Sequence, residues 1–255
     1  MDNKLNIIPI GSGSTGNAIY LEMGNHKFLV DMGIGFRKIR DALQLNQRSI
    51  EDIEAIFVTH GHYDHVRSAK AIANHTLCNV YADATAMYPL RDIAAERIAC
   101  KANETFEPLP DLKVRMFYVP HDYVKTCGYT FSINGRKISL VTDCGKMNEA
   151  ILEELSGSDV VIIEANHDIE MLRNGPYPLD LQERILSRYG HLSNIDCAAA
   201  VEKLYAQGTR NFLLAHISQH NNTPDLAYET VRKVLNDQDI FLYPCPAESA
   251  ELLSF

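Results

Sequence analysis

The chain has 255 residues, 46% hydrophobic and 22% charged, values that exclude a disordered or fibrous protein and allow a sizeable core without disulfides. Its 24 basic and 33 acidic residues give a formal charge of −9, which argues against a general polyanion-binding surface while leaving room for a local basic groove. Cys78, Cys100, Cys127, Cys144, Cys197 and Cys245 form no C-x-x-C pair, residues 1–10 are too short and Pro-broken for a leader, and no apolar run spans a bilayer. The expectation is a cytoplasmic protein with reduced thiols and no membrane contact.

Strands are expected at 5–9, 18–22 and 27–30, the last two joined by a turn at Gly24-Asn25. Phe36, Ile39 and Leu43 recur at helical spacing, which predicts a helix over 36–45. The continuous apolar run 55–59 reads as a strand buried on both faces and ends at His60. Helices are expected at 66–74 and 84–95 with a strand at 78–81 between them; another strand at 113–119 leads to Pro120-His121. Asn134-Gly135 is the preferred dipeptide of a type I′ turn and centres a hairpin over 128–143. Pairing outward from it sets 133 against 136 and 131 against 138, so Asp143 and the loop around His121 share one end of the sheet. Buried strands recur at 160–163 and at 211–215, the latter ending at His216. Helices are expected at 179–189, 195–205 and 224–235, the last with Thr223 as N-cap and Pro224 in its first turn. No linker or short repeat interrupts this alternation. It predicts a single α/β (α+β) domain over 1–255, with two sheets packed together and helices outside.

His60-Gly-His62-Tyr-Asp64-His65 carries three imidazoles and a carboxylate within six residues, a donor set suited to divalent cations. In an extended loop, 60, 62 and 64 point one way and 65 another, a geometry that can serve two adjacent metals.

H-x-H-x-D-H after a hydrophobic strand resembles the metallo-β-lactamase superfamily, whose fold is an αββα sandwich with metals at its edge. The other motifs of that pattern occur in order, each at an expected strand end: Asp31, His121, Asp143 and His216. The resemblance implies two divalent ions, Zn or Mn. One is held by His60, His62 and His121 and the other by Asp64, His65 and His216; Asp143 bridges them and Asp31 orients the site from behind. A histidine at 62 disfavours the redox di-iron branch, and the chain lacks the inserted domain of the β-CASP nucleases and the arm of RNase Z. Gly11-Ser-Gly-Ser-Thr-Gly-Asn17, Glu164-Ala-Asn-His-Asp168, Gly175-Pro-Tyr-Pro178, Gly190-His-Leu-Ser-Asn194 and His216-Ile-Ser-Gln-His-Asn-Asn222 together resemble the YycJ/WalJ (VicX) family. That family is associated with 5′-to-3′ exonuclease activity on DNA and, by gene neighbourhood, with a cell-wall two-component system.

The turn 11–17 reads either as a flexible hairpin loop or as a nest in which Ser12, Ser14 and Asn17 contact a phosphate; lacking a following Lys-Ser/Thr, it is no P-loop. His167 reads as a substrate contact or as part of a hydrogen-bonded network with Glu164, and His191 as a residue near a helix cap or as a general acid. Tyr123 and Tyr177 are either stacking residues or buried tyrosines, and Lys125, Arg136, Lys137, Arg173 and Arg184 are candidates for a basic rim.

The expected activity is metal-dependent phosphodiester hydrolysis, with Asp64 orienting or deprotonating the water and His191 protonating the leaving oxygen. A 5′-to-3′ DNA exonuclease is the leading reading, with DNA ahead of RNA. Alternatives are a phosphodiesterase for cyclic or nucleotide esters and a non-catalytic regulatory partner of a two-component system. Metal identity and oligomeric state stay open.

Overall fold

The computed structural model describes residues 4–235 and 239–255; residues 1–3, within the stretch read as lacking a leader, fall outside the described residues. Two seven-stranded sheets stack face to face. The first contains β1 (Leu5–Gly11), β2 (Ala18–Met23), β3 (His26–Val30), β4 (Ala55–Phe57), β5 (Asn79–Asp83) and β6 (Arg97–Cys100) in that order, with β14 (Leu253–Ser254) paired outside β1. The second runs in chain order through β7 (Thr105–Leu109), β8 (Leu112–Val119), β9 (Thr126–Ile133), β10 (Arg136–Val141), β11 (Val160–Glu164), β12 (Asn211–Ala215) and β13 (Phe241–Pro244).

Period-two alternation divides each strand between two cores. In β1, Leu5 and Ile7 enter the layer between the sheets with Phe28, Phe57 and Phe131, while Ile8 and Ile10 face outward. The outward face of the first sheet is covered by α1 (Phe36–Leu45) through Ile39 and Leu43 and by α3 (Ala69–Thr76) through Ile72. The outer face of the second is covered by α4 (Glu149–Leu155), α7 (Asn194–Ala206) and α8 (Pro224–Arg232). The layers therefore run helix, sheet, sheet, helix, as expected. Among the described residues no helix is long and apolar enough to cross a membrane.

The hairpin register is the expected one, with Ile133 opposite Arg136 and Phe131 opposite Ile138. Asn134 and Gly135 both have positive φ, which a type I′ turn demands. Thr223 caps α8 by accepting from the Leu226 N–H.

Four expectations need correction, one of them the helix expected at 224–235, which stops at Arg232. The helix expected at 84–95 is a 3₁₀ segment, Ala84–Leu90, that contains Pro89, and the chain then enters β6. Proline removes a backbone donor, and Asp83 caps the segment by accepting from Thr85 N–H. The helix expected at 66–74 divides into α2 (Tyr63–Val66) and α3. The helix expected at 179–189 stops sooner, as α6 (Leu179–Leu186). Strands β6, β7, β13 and β14 and helices α4 and α5 (Ile169–Asn174) had no expectation attached to them.

Candidate metal centre

The site lies where β3, β4, β8, β10, β11 and β12 run out. Asp31, His60, His121, Asp143 and His216 each sit within three residues of a strand's C-terminal end. Asp31, Asp143 and His216 share an unusual backbone, with φ of 57°, 55° and 56°. This left-handed geometry costs an L-residue roughly 1–2 kcal/mol and turns the side chain sharply out of the strand direction. Neighbours hold it in place: Asp31 N–H donates to Phe57 O, and His216 N–H donates to Ser12 Oγ at 2.8 Å.

The histidine motif is not the extended loop expected. His60 to His62 lead into α2, so Asp64 and His65 stand on a helical turn. The turn is docked by Met32 N–H donating to His65 O and Asn17 N–H donating to Asp64 O. Gly33 makes this docking possible, because a Cβ there would lie 1.5 Å from Asp64 O.

The donor atoms converge in overlapping groups: His60, His62 and His121; Asp64, His65 and His216; and His60, His65 and Asp143, each with its ligand atoms within 4.8 Å of one another. His60 Nε2 and His62 Nδ1 are 3.0 Å apart. Asp143 lies between the first two groups, with Oδ2 3.3 Å from His65 Nε2 and Oδ1 3.7 Å from His121 Nε2. Asp143 Oδ2 and His216 Nε2 are buried and have no hydrogen-bond partner. Burial without a partner is costly, and borderline divalent cations accept this mixed nitrogen and oxygen set, so the residues fit metal ions.

The far nitrogens of the imidazoles are occupied. His65 Nδ1 donates to Asp31 Oδ2 at 2.8 Å, and Asp31 also accepts from Thr59 N–H and Thr59 Oγ1, each at 2.8 Å. His121 Nδ1 donates to Gly190 O at 3.0 Å, and His60 Nδ1 lies 3.0 Å from Thr59 Oγ1. His216 Nδ1 donates to Glu164 Oε1 at 2.9 Å. Each bond orients its ring so that Nε2 faces the centre.

The electrostatics favour a cation. Burial alone would raise the Asp143 carboxyl, but His216, His65, His60 and His121 hold it well below the usual range. Burial likewise pulls His216 down, yet Asp143, Asp64 and Glu164 outweigh it and hold the imidazole up to about 10. Positive charge is thus stabilised at this point. His60, buried and beside His65, is pushed well below its usual value and stays a neutral donor.

A cavity of about 240 Å³ opens onto the centre, with His62, Asp64, His121, Asp143, His191 and His216 on its wall. Of the residues expected to touch substrate, Ser14 lines it; Ser12, Asn17 and His167 do not. Ser12 is spent on the His216 amide, and Asn17 Nδ2 lies 3.1 Å from His65 Nε2, so the turn 11–17 braces the ligand residues. His167 is 1% exposed. Tyr123 packs its ring on His60 and His62 and donates to Thr85 O. Arg136 and Lys137 sit at the hairpin end, away from Asp143, beside Asp159 and Glu154.

Sequence reasoning missed the scale of Glu164. This fully buried carboxylate accepts four N–H bonds: His191 Nδ1 (2.8 Å) and His216 Nδ1 (2.9 Å) on Oε1, and the amides of Cys144 (2.7 Å) and Leu192 (3.3 Å) on Oε2. Despite burial, His191 and His216 lower it to about 2. The Asp122–Arg184 pair on the cavity wall was also missed. Besides the stretch 164–168 already noted, the local signal for Glu164 was an acid closing an otherwise apolar strand, Val160–Glu164.

Fold and site define a member of the β-lactamase superfamily, whose domain model matches residues 26–217. The chain is 32% identical to the exodeoxyribonuclease YycJ of Bacillus anthracis, over 90% of this chain and 88% of that protein. It is 33% identical to the exodeoxyribonuclease WalJ of Streptococcus pneumoniae, over 91% of this chain and 88% of that one. It belongs to the YycJ/WalJ family. The metallo-β-lactamase fold protein YhfI from Bacillus subtilis superposes with a TM-score of 0.77 over 100% of both chains, at 14% identity.

Proposed function

We propose that the protein is a dinuclear metal-dependent phosphodiester hydrolase that degrades DNA from its 5′ end. The observation that carries this reading is the pair of donor groups on either side of Asp143, in a chain whose relatives are named exodeoxyribonucleases. His60, His62 and His121 would hold one ion and Asp64, His65 and His216 the other, with Asp143 shared between them, while Asp31 and Glu164 orient imidazoles from behind. Zn and Mn both suit this donor set. When bound, the ions supply Lewis-acid charge to the phosphoryl oxygens and to the attacking water.

The chain's own residues do the rest. Asp64, on the cavity wall, accepts the proton of the attacking water. His191 is held through Nδ1 by Glu164, which leaves Nε2 to protonate the leaving oxygen. Six free, buried cysteines suit a reducing cytoplasm, where we place the protein.

A small phosphodiester is the second reading, favoured by the limited cavity and the charge of −9. One assay separates the two: 5′- and 3′-labelled DNA and RNA and a cyclic dinucleotide, incubated with protein and Mn²⁺. The nuclease reading expects stepwise loss of the 5′ label from DNA. Asp64→Ala lowers that rate by about 100-fold or more. An undiminished rate in the variant would refute the assigned role.

A further inference from the structure

We propose that Tyr177 is the stacking platform for the base of the 5′-terminal nucleotide. This rests on the nuclease reading and adds how the site grips its substrate.

The cavity has two chemically unlike parts. One is the polar wall of histidines and carboxylates; the other is contributed by Tyr177, Leu181 and Ile185. Leu181 and Ile185 lie one turn apart on α6, and Tyr177, just before the helix, lines the same cavity beside them. A phosphodiester and its leaving group are met by the polar part. An apolar and aromatic patch beside a highly charged centre matches the remaining piece of a nucleotide, the flat face of its base. At about 240 Å³ the cavity is smaller than the roughly 300–1,000 Å³ of drug-sized sites and has room for one nucleotide rather than a duplex.

Tyr177 is built to be rigid without being buried. Pro176 and Pro178 flank it and fix φ on both sides. Gln182 Nε2, itself buried, donates to Tyr177 O at 2.8 Å. Gly175 lets the segment press on its neighbours, because a Cβ there would lie 2.8 Å from Met171 O and 3.1 Å from Asn221 Oδ1. The ring is braced by His220, with centroids 5.9 Å apart and planes at 59°. An aromatic side chain on a backbone already fixed binds at a reduced entropic cost. Since every base offers a π face, such a platform serves a nuclease that must accept any sequence.

The test is a two-by-two comparison in the metal-loaded protein. Wild type, Tyr177→Leu and Tyr177→Phe are assayed on a single-stranded oligodeoxynucleotide and on the same strand with an abasic 5′-terminal residue. On the intact strand, Tyr177→Leu lowers kcat/KM about tenfold, mainly through KM. On the abasic strand, wild type already shows that loss and Tyr177→Leu adds less than about twofold. Tyr177→Phe stays within about twofold of wild type on both and controls for folding. An equal loss on both strands, or none on either, overturns the platform while leaving the nuclease reading intact. A wild-type protein that degrades neither strand overturns the nuclease reading, and the platform with it.

Discussion

Glu164→Gln changes no shape and removes one charge, so it isolates what the buried carboxylate contributes. All four of its partners are N–H donors. A glutamine keeps one oxygen, and its NH₂ must face two of those donors. If NH₂ faces Cys144 and Leu192, two buried amides lose their acceptor at about 1–3 kcal/mol each. If it faces His191 and His216, the imidazoles can answer by moving their protons from Nδ1 to Nε2. The second arrangement is therefore favoured, and it takes the His216 Nε2 lone pair away from the metal centre. The expected result is a folded protein whose metal affinity is about 10–100-fold weaker. Calorimetric titration of Zn²⁺ or Mn²⁺ into chelator-stripped protein reads this directly. Glu164→Ala, which strands all four donors, unfolds at markedly lower denaturant than Glu164→Gln. Wild-type metal affinity in Glu164→Gln would refute the tautomer argument.

Two further perturbations probe the scaffold. Gly33→Ala places a Cβ 1.5 Å from Asp64 O and should cost more than about 4 kcal/mol, lowering the unfolding midpoint and metal uptake together; an unchanged melting temperature would contradict the close docking. His167 is held down to about 4 by burial, against 6.5 when unfolded, so from pH 6.5 to 4 the unfolded chain takes up a proton the native state refuses. Stability therefore falls as pH drops through that window, by about 3 kcal/mol in full, and His167→Leu should remove this component. Urea midpoints for both proteins at pH 7 and pH 4.5 decide it, an identical pH slope being the contrary outcome.

The parts of the molecule legible in sequence were those with local signals. The strand ending at His60 announces itself by its apolar run, and Asn134-Gly135 settles a register to the residue because a two-residue turn admits only one. The site motifs were legible because each follows a buried strand. The edge strands escaped for the opposite reason. β14 has two residues and exists through pairing with β1 at the other end of the chain, and β6 has only four, whose inward Ile98 and Cys100 are too few to announce a period. Pro89 shortened a helix that composition favoured. Glu164 was seen as a residue but not as a hub, since its partners at 144, 191, 192 and 216 meet only when β10, β11 and β12 lie side by side. Ser12 and Asn17 looked like substrate contacts because a glycine-rich turn suggests a phosphate nest; their hydroxyl and amide are turned toward His216 and His65 instead.

The centre lies on the seam between the sheets, with His60, His62, Asp64 and His65 following a strand of the first and His121, Asp143 and His216 following strands of the second. On the proposed assignment this sets an order during synthesis. A chain that has emerged past residue 121 already carries His60, His62 and His121, enough for one ion. The second group waits for His216, which follows the sixth strand of the second sheet in chain order. On that assignment a product lacking His216 would keep at most one complete donor group, and a reaction that needs both would stay silent until nearly the whole sandwich is built.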